Sequence, residues 1–230
     1  MKKLILANLK MYFNITKDIQ DYLNNLNDEK ENFIAFPPII YLEKFLNNGF
    51  TCGIQDISVH KEGAHTGEVS ALSATDLGAK YVLLGHSEIR QKGESDELIN
   101  KKIKTALNHN LKAILCVGEN LEAYNQSQTK EIIKNQISKA LKNIDEEIMI
   151  SYEPVWAIGT GKTPTNNEIE DVVSYIKSLF NYKIKVLYGG SVSEKNIETL
   201  NQINNLDGFL IGYAATIPSS LRKIIEVAKK

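Results

Sequence analysis

Short apolar runs alternate with longer polar segments from one end of this chain to the other, and this alternation restricts the fold more than any other feature. Eight runs are interpreted as strands, and their mostly apolar composition is typical of parallel strands buried on both faces. The predicted strands are Leu4–Asn8, Phe33–Phe36, Thr51–Gln55, Tyr81–Leu84, Ala113–Val117, Ile148–Tyr152, Ile184–Tyr188 and Gly208–Ile211. Because strands alternate with helices, the sequence predicts a parallel sheet with right-handed crossovers.

The segments between these strands carry helix signals. After Lys130, one helical face is formed by Ile133, Gln136, Ile137, Ala140 and Leu141. Thr165 and Glu168 have the spacing of a capping box, so a helix is predicted to start at this point. Ser95 and Ser193 are predicted to cap the N-termini of two further helices.

Eight strand–helix units in 230 residues predict an α/β protein with a closed (β/α)8 barrel. No linker or low-complexity segment interrupts the alternation, so residues 1–230 are expected to form a single domain. An open, doubly wound sheet is the alternative fold. It is less favoured because no G-x-G-x-x-G fingerprint follows the first predicted strand.

Composition excludes several classes of function. The chain has 27 basic and 28 acidic residues without a basic stripe, so nucleic acid is not an expected partner. No apolar run is long enough to span a membrane, and the apolar N-terminal run is too short for a signal peptide. Cys52 and Cys116 both fall in predicted strands, which favours buried thiols in a reducing cytoplasm. The histidines and cysteines lack the spacing of metal ligands, so no metal is expected.

The segment from Ser151 to Lys162 predicts a shielded carboxylate. Glu153 stands where the sixth strand ends, and Pro154 prevents that strand from simply continuing. An apolar stretch and two glycines, Gly159 and Gly161, follow, as expected for a mobile flap. Glu153 is therefore a candidate general base, although pairing with a cation such as Lys10 is the simpler alternative.

Other polar groups follow neighbouring strands, where the active site of such a barrel lies. Asn8 and Lys10 follow the first strand, and Lys10 is either a solvated lysine or a fixed charge for an anionic substrate. His86 follows the fourth strand, directly before a possible short helix. A helix N-terminus favours the neutral imidazole, which can donate a hydrogen bond to a substrate oxygen. A purely structural histidine is the alternative.

Glycine-rich turns follow the last two strands. Gly189, Gly190 and Ser191 end the seventh strand, and Gly212 ends the eighth. These are ordinary turns or, because such turns expose backbone N–H groups, the two halves of a phosphate site.

Taken together, these motifs identify the chain as similar to the triosephosphate isomerase family over its full length. The resemblance is carried by Asn8-x-Lys10, Gly53-Ile-Gln55, Thr66-Gly-Glu68, Gly85-His-Ser-Glu88, Cys116-Val-Gly-Glu119, Tyr152-Glu-Pro-Val-Trp-Ala-Ile-Gly-Thr-Gly-Lys162 and Tyr188-Gly-Gly-Ser-Val192. It implies a TIM barrel that interconverts dihydroxyacetone phosphate and D-glyceraldehyde 3-phosphate through an enediolate, in glycolysis and gluconeogenesis. No metal or organic cofactor is implied.

The resemblance also implies a role for each site residue. Glu153 corresponds to the base, His86 to the electrophile, Lys10 to the cation that stabilises the enediolate, and Asn8 to a neighbouring polar contact. The phosphate is expected to lie on backbone N–H groups of Gly159, Ser191, Gly212 and Tyr213.

Family members usually form homodimers in which the loop after the third strand, here near His65 to Glu68, inserts beside the partner's active site. Three departures from the family have structural consequences. Ile89 replaces the first of two arginines that commonly follow His-Ser-Glu, so a supporting ion pair is expected to be missing. Tyr213 replaces the second glycine of a pair, so its side chain must point away from the phosphate, and a positive φ would strain it. Pro164 lacks the N–H that the family offers to the tyrosine at position 188, so a less favoured closed flap is expected.

Two other functions remain open. A Schiff-base aldolase would use Lys10 as its nucleophile on a similar phosphate-binding barrel. A non-catalytic barrel would serve as a binding protein or scaffold, but it would not need Lys10, His86 and Glu153 together.

Overall fold

Eight parallel strands form one sheet in the computed structural model, which describes residues 2–13, 15–158 and 163–230. The strands are β1 Leu4–Asn8, β2 Ile34–Phe36, β3 Gly53–Ile54, β4 Tyr81–Leu84, β5 Lys112–Val117, β6 Met149–Tyr152, β7 Lys185–Tyr188 and β8 Gly208–Ile211. They follow the order β2-β1-β8-β7-β6-β5-β4-β3. A parallel bridge between Ala35 and Cys52 joins the two edges, which closes the sheet into a barrel. The predicted barrel is confirmed.

Helices alternate with the strands around the barrel. They are α1 Thr16–Leu26, α2 Leu42–Asn47, α3 Ala71–Leu77, α4 Ser87–Arg90, α5 Asp96–Asn108, α6 Leu121–Asn125, α7 Thr129–Ala140, α8 Asn166–Ser178, α9 Ile197–Leu200 and α10 Pro218–Ala228. Short 3₁₀ helices cover Asn27–Glu29, Ile39–Tyr41, Val155–Ala157 and Tyr213–Thr216. None of the helices within the described ranges is long and apolar enough to cross a membrane.

The helix signals in the sequence largely correspond to real caps. Thr165 and Glu168 form the predicted capping box of α8, and the Ser95 hydroxyl accepts a hydrogen bond from the N–H of Leu98 at the start of α5. The prediction for Ser193 is wrong, because α9 begins four residues later with Asn196 as its N-cap residue. The carbonyl oxygen of Ser193 instead accepts from the N–H of Asn196 and closes a turn.

Two apolar layers explain why apolar and polar residues do not alternate along the strands. Side chains such as Leu6, Leu83, Ile114 and Leu187 fill the barrel interior, while the opposite faces of the strands pack against the helices. The polar residues that this packing excludes are left at the carboxyl ends of the strands.

The strand boundaries differ slightly from the prediction, most clearly at β3. The predicted strand Thr51–Gln55 contains only Gly53 and Ile54 as regular strand. Gln55 lies outside the regular strand. Its side-chain amide donates hydrogen bonds of 2.9 Å to the carbonyl oxygens of Lys10 and Phe36. This amide therefore fixes the loop that carries Lys10.

Candidate active site

A cavity of about 550 Å³ opens at the carboxyl ends of the strands. Its walls come from the ends of β1, β4, β7 and β8 and from the segment after β6. The predicted site residues that line it are Asn8, Lys10, His86, Ser191, Gly212 and Tyr213. Gly159 lies outside the described residues.

Glu153 is buried beside this cavity. It follows β6 directly, is only 2 % exposed, and places Oε2 at 3.5 Å from Nε2 of His86. Neither carboxylate oxygen has a hydrogen-bond partner within the described ranges. Because buried polar atoms normally have partners, this carboxylate is ready to accept a proton or a hydrogen bond from a group in the cavity.

His86 is held in one orientation by the backbone. Its Nδ1 accepts a hydrogen bond of 3.2 Å from the N–H of Glu88, within the predicted short helix α4. A ring nitrogen that accepts from an N–H carries no proton, so in the neutral ring the proton is on Nε2. Nε2 lies on the side of Glu153 and the cavity. The ring therefore presents a donor to the site.

Lys10 pairs with Glu88 and not with Glu153. Its Nζ lies 2.5 Å from Oε1 of Glu88. Burial alone would raise the pKa of Glu88, but the hydrogen bond and charge of Lys10 outweigh burial and lower that pKa. The alternative in which Glu153 is merely the partner of Lys10 is therefore wrong.

The backbone of Lys10 is strained, with φ at 48°. The Asn8 side chain accepts a hydrogen bond of 3.1 Å from the Lys10 N–H, and Gln55 holds the Lys10 carbonyl. Strain that neighbouring hydrogen bonds maintain is frequent at functional sites. Asn8 thus fixes the direction in which Lys10 enters the cavity.

The loops after β7 and β8 leave room for an anion. A Cβ added to Gly212 would stand 3.4 Å from Cε of Lys10, so this glycine lies close to the lysine side chain. Tyr213 opens a 3₁₀ helix with negative φ and is 63 % exposed. The expected strain at Tyr213 is therefore absent, and its exposed ring packs edge-on against Tyr12.

The first turn of the flap segment contacts two neighbouring loops. The Trp156 indole N–H donates to Oε1 of Glu119 at 2.8 Å, and the Ser191 hydroxyl donates to the carbonyl oxygen of Ala157 at the same distance. Burial raises the pKa of Glu119, although the hydrogen bond from Trp156 opposes this effect. Glu119 links the end of β5 to the segment that follows Glu153.

Sequence reasoning assigned no role to Glu88 and Glu119, although both occur in motifs that identified the family. Each follows a strand at its carboxyl end, and this position was the available signal. A larger cavity of about 620 Å³ lies outside this site, between Arg90, Asn120 and Gln136. Five of its twelve lining residues carry amide side chains, and its carboxylate, Glu122, is exposed rather than buried.

A (β/α)8 barrel whose mouth combines a buried carboxylate, an oriented imidazole and a lysine defines an enzyme that moves protons on an anionic substrate. The family model described as triosephosphate isomerase matches residues 3–228. The chain belongs to the triosephosphate isomerase family and is therefore an isomerase that acts on triose phosphates.

Individual relatives support the same assignment. The chain is 40% identical to the triosephosphate isomerase of Wolbachia sp. subsp. Brugia malayi, with 100% of this chain and 99% of the relative aligned. It is 40% identical to that of Mycoplasma mobile over 93% of this chain and 95% of the relative. For Thermoanaerobacter pseudethanolicus, the identity is 35% over 97% of this chain and 98% of the relative.

Proposed function

We propose that Glu153 is the base of this isomerase. It takes a proton from the carbon beside the substrate carbonyl and returns a proton to the neighbouring carbon. The observation that carries this proposal is a buried carboxylate without hydrogen-bond partners in the described ranges, 3.5 Å from His86. Such a carboxylate is shielded from water and close to the group that stabilises the adjacent oxygen.

His86 polarises the substrate carbonyl through its Nε2–H and moves protons between the two substrate oxygens. The hydrogen bond that Nδ1 accepts from Glu88 supports this role, because it leaves the proton on the nitrogen nearer the cavity. Lys10 supplies positive charge to the enediolate, and Asn8 holds the backbone of Lys10 in place.

The substrate phosphate lies against the loops after β7 and β8, on backbone N–H groups of Ser191, Gly212 and Tyr213, with Gly159 completing the cradle. The first three residues line the cavity, and Lys10 lies close to Gly212. Backbone N–H groups in glycine-rich turns are suited to bind a phosphate dianion.

Glu153→Asp tests the base directly. The shorter side chain retracts the carboxylate by roughly one C–C bond, so kcat should fall by about 100-fold or more in a coupled assay of triose phosphate interconversion. KM should change much less, because the phosphate contacts remain. Unchanged turnover would remove Glu153 as the base.

The aldolase alternative is disfavoured because Nζ of Lys10 is engaged in an ion pair with Glu88. A Schiff base requires the neutral amine as nucleophile. Borohydride trapping with a triose or ketose phosphate tests this point, and a stable Lys10 adduct would favour the aldolase.

The chain works in the cytoplasm and folds as a single domain. It forms a homodimer through the loop between β3 and α3. In that loop, Ser58 bonds Glu68, and the rings of His60 and His65 stack at 3.7 Å. The side chain of Met11, on the loop after β1, is 85 % exposed, which suits an apolar contact with a partner. Sedimentation analysis should give twice the mass of 25.8 kDa, and a monomer mass would contradict the dimer.

A further inference from the structure

Ser151 is a polar residue in the otherwise mostly apolar interior of the barrel. It lies on β6, two residues before Glu153, which follows the strand directly and continues its pairing with β5, so both side chains point to the same side. Its neighbours across the sheet are Cys116 and Leu187, which belong to the interior cluster. Ser151 is fully buried.

The Ser151 hydroxyl has no hydrogen-bond partner among the described residues, and the same is true of both Glu153 carboxylate oxygens. A buried polar atom without a partner is costly, and most such atoms in folded proteins are paired. One hydroxyl that can donate and two carboxylate oxygens that can accept are therefore all without partners among the described residues.

Gly189 shows how close the two side chains are. A Cβ added to this glycine would stand 2.6 Å from Cγ of Glu153 and 2.7 Å from Oγ of Ser151. Both side chains therefore occupy the space that Gly189 leaves free at the end of β7. Rotation of the Glu153 side chain within this space changes the distance between the carboxylate and the hydroxyl.

We propose that Ser151 is a positioning residue that acts through Glu153. During the reaction, the Ser151 hydroxyl forms a hydrogen bond with the Glu153 carboxyl group from the side of the barrel interior. The inference rests on the proposed role of Glu153 as the base. The base alternates between carboxylate and carboxylic acid in each turnover. A hydroxyl can donate to the first form and accept from the second, simply by turning its hydrogen.

The Cys116 thiol, another polar neighbour of Glu153, is a weaker partner than the Ser151 hydroxyl. Burial raises the pKa of the Cys116 thiol, and the charge of Glu153 raises it further, so this thiol stays protonated. A thiol is a weak hydrogen-bond donor. Ser151 is therefore the stronger donor at this position. Its hydrogen bond to the ionised carboxylate is stronger than the bond that it accepts from the carboxylic acid.

Ser151→Ala, Ser151→Cys and the control Ser220→Ala test this proposal through the pH profile of kcat/KM. Ser220 is also buried but lies on the helix α10 and not on a strand of the barrel. Loss of the hydroxyl in Ser151→Ala should move the acid limb to higher pH by about one unit, which corresponds to one charge-assisted hydrogen bond. Ser151→Cys should give a smaller shift in the same direction, and Ser220→Ala none.

An acid limb that stays in place in Ser151→Ala would overturn the proposal, even if the variant melts at a lower temperature. If Ser151→Ala does not fold, the limb of Ser151→Cys decides in the same way, because a thiol fills nearly the same volume. Glu153→Asp is measured in parallel. If its turnover is unchanged, the base assignment fails and this inference with it. If its turnover falls while the limb stays fixed in both Ser151 variants, only this inference fails.

Discussion

At the scale of single residues, the position of Glu153 depends on neighbours without side chains. A Cβ on Gly118 would stand 1.8 Å from the Glu153 carbonyl oxygen, so β5 and the end of β6 approach closely only because this residue is glycine. On the side of β7, the missing side chain of Gly189 likewise leaves room for the Glu153 side chain. The Glu153 backbone is therefore placed by the missing side chain at Gly118, and the Glu153 side chain occupies the space that Gly189 leaves free.

Gly189→Ala should displace the base. The added Cβ would overlap Cγ of Glu153 at 2.6 Å, and a carboxylate moved by even about 1 Å costs roughly 100-fold in kcat. The affinity for inorganic phosphate, measured as competitive inhibition, should change by less than about threefold, because Lys10 and the N–H groups of Gly212 and Tyr213 remain. A kcat close to that of the wild type would contradict this account of Gly189.

The sequence indicates which residues face the cavity better than it indicates their partners. Lys10, His86 and Glu153 were predicted because each follows a strand, and parallel strands end at the same rim. Their pairing depends on side-chain directions, which strand order does not define. For this reason the pair of Lys10 with Glu88 was missed.

At the scale of elements, the segment after β6 is tied to its surroundings at its first turn. Trp156 donates to Glu119, and the carbonyl oxygen of Ala157 accepts from Ser191. These contacts connect the flap region to the ends of β5 and β7. Trp156 is also the single tryptophan of the chain, so its fluorescence reports on this segment.

Glu119→Gln should change the pH dependence of stability. Burial raises the pKa of Glu119 above 4.5 in the folded protein, so the folded state holds this proton more tightly than the unfolded state. The wild type should therefore lose stability relative to Glu119→Gln as pH rises from about 4.5 to the raised pKa, with a constant difference above it. Urea unfolding between pH 4.5 and 8 measures this difference. The exposed Glu122→Gln serves as the control, and a difference that does not vary with pH would contradict the assignment.

Pro164→Ala should favour the closed flap. The Tyr188 hydroxyl is buried and has no hydrogen-bond partner among the described residues, and a proline offers no N–H. An alanine N–H can donate to that hydroxyl. The change in Trp156 fluorescence on titration with a substrate analogue should then occur at lower concentration, by about fivefold for one neutral hydrogen bond. The gain should vanish in a Tyr188→Phe background, and equal titrations of Pro164→Ala and wild type would refute the hypothesis.

At the scale of the whole molecule, the alternation of strands and helices was sufficient to predict the barrel. The strand positions were predicted to within about two residues because apolar composition marks the buried segments. The errors fall where local side-chain contacts decide, as in the side-chain hydrogen bonds of Gln55 after β3 and the turn at Ser193 before α9. These contacts involve residues distant in sequence or irregular backbone. The spacing of apolar residues along the sequence does not predict either.

Lys102→Met should destabilise the whole barrel. Lys102 is buried on α5, with Nζ at 2.7 Å from both oxygens of Asp56 and 2.6 Å from Oε1 of Glu94. Burial alone would lower the pKa of Lys102, but these carboxylates outweigh it and raise the pKa. Without the lysine, the buried Glu94 loses its counter-charge, which should cost about 3–5 kcal/mol of unfolding free energy.

Guanidinium unfolding at one fixed protein concentration measures this loss, because an oligomer's stability depends on concentration. Lys130→Met is the matched control. Its ion pair with Asp171 is exposed, so its removal should cost less than about 1 kcal/mol. Equal losses of unfolding free energy in the two variants would contradict the claim that burial makes the ion pairs of Lys102 important for stability.

In the proposed reaction, the proton moves between the two substrate carbons through the Glu153 carboxyl group. Isomerisation of dihydroxyacetone phosphate in D₂O tests this route through the carbon-bound deuterium in the glyceraldehyde 3-phosphate formed. A proton held on a carboxyl group exchanges with solvent, so the wild-type product should carry deuterium at the carbon beside the aldehyde. Glu153→Gln should show neither turnover nor deuterium incorporation above background. Wild-type product without deuterium, or incorporation that persists in Glu153→Gln, would contradict the account.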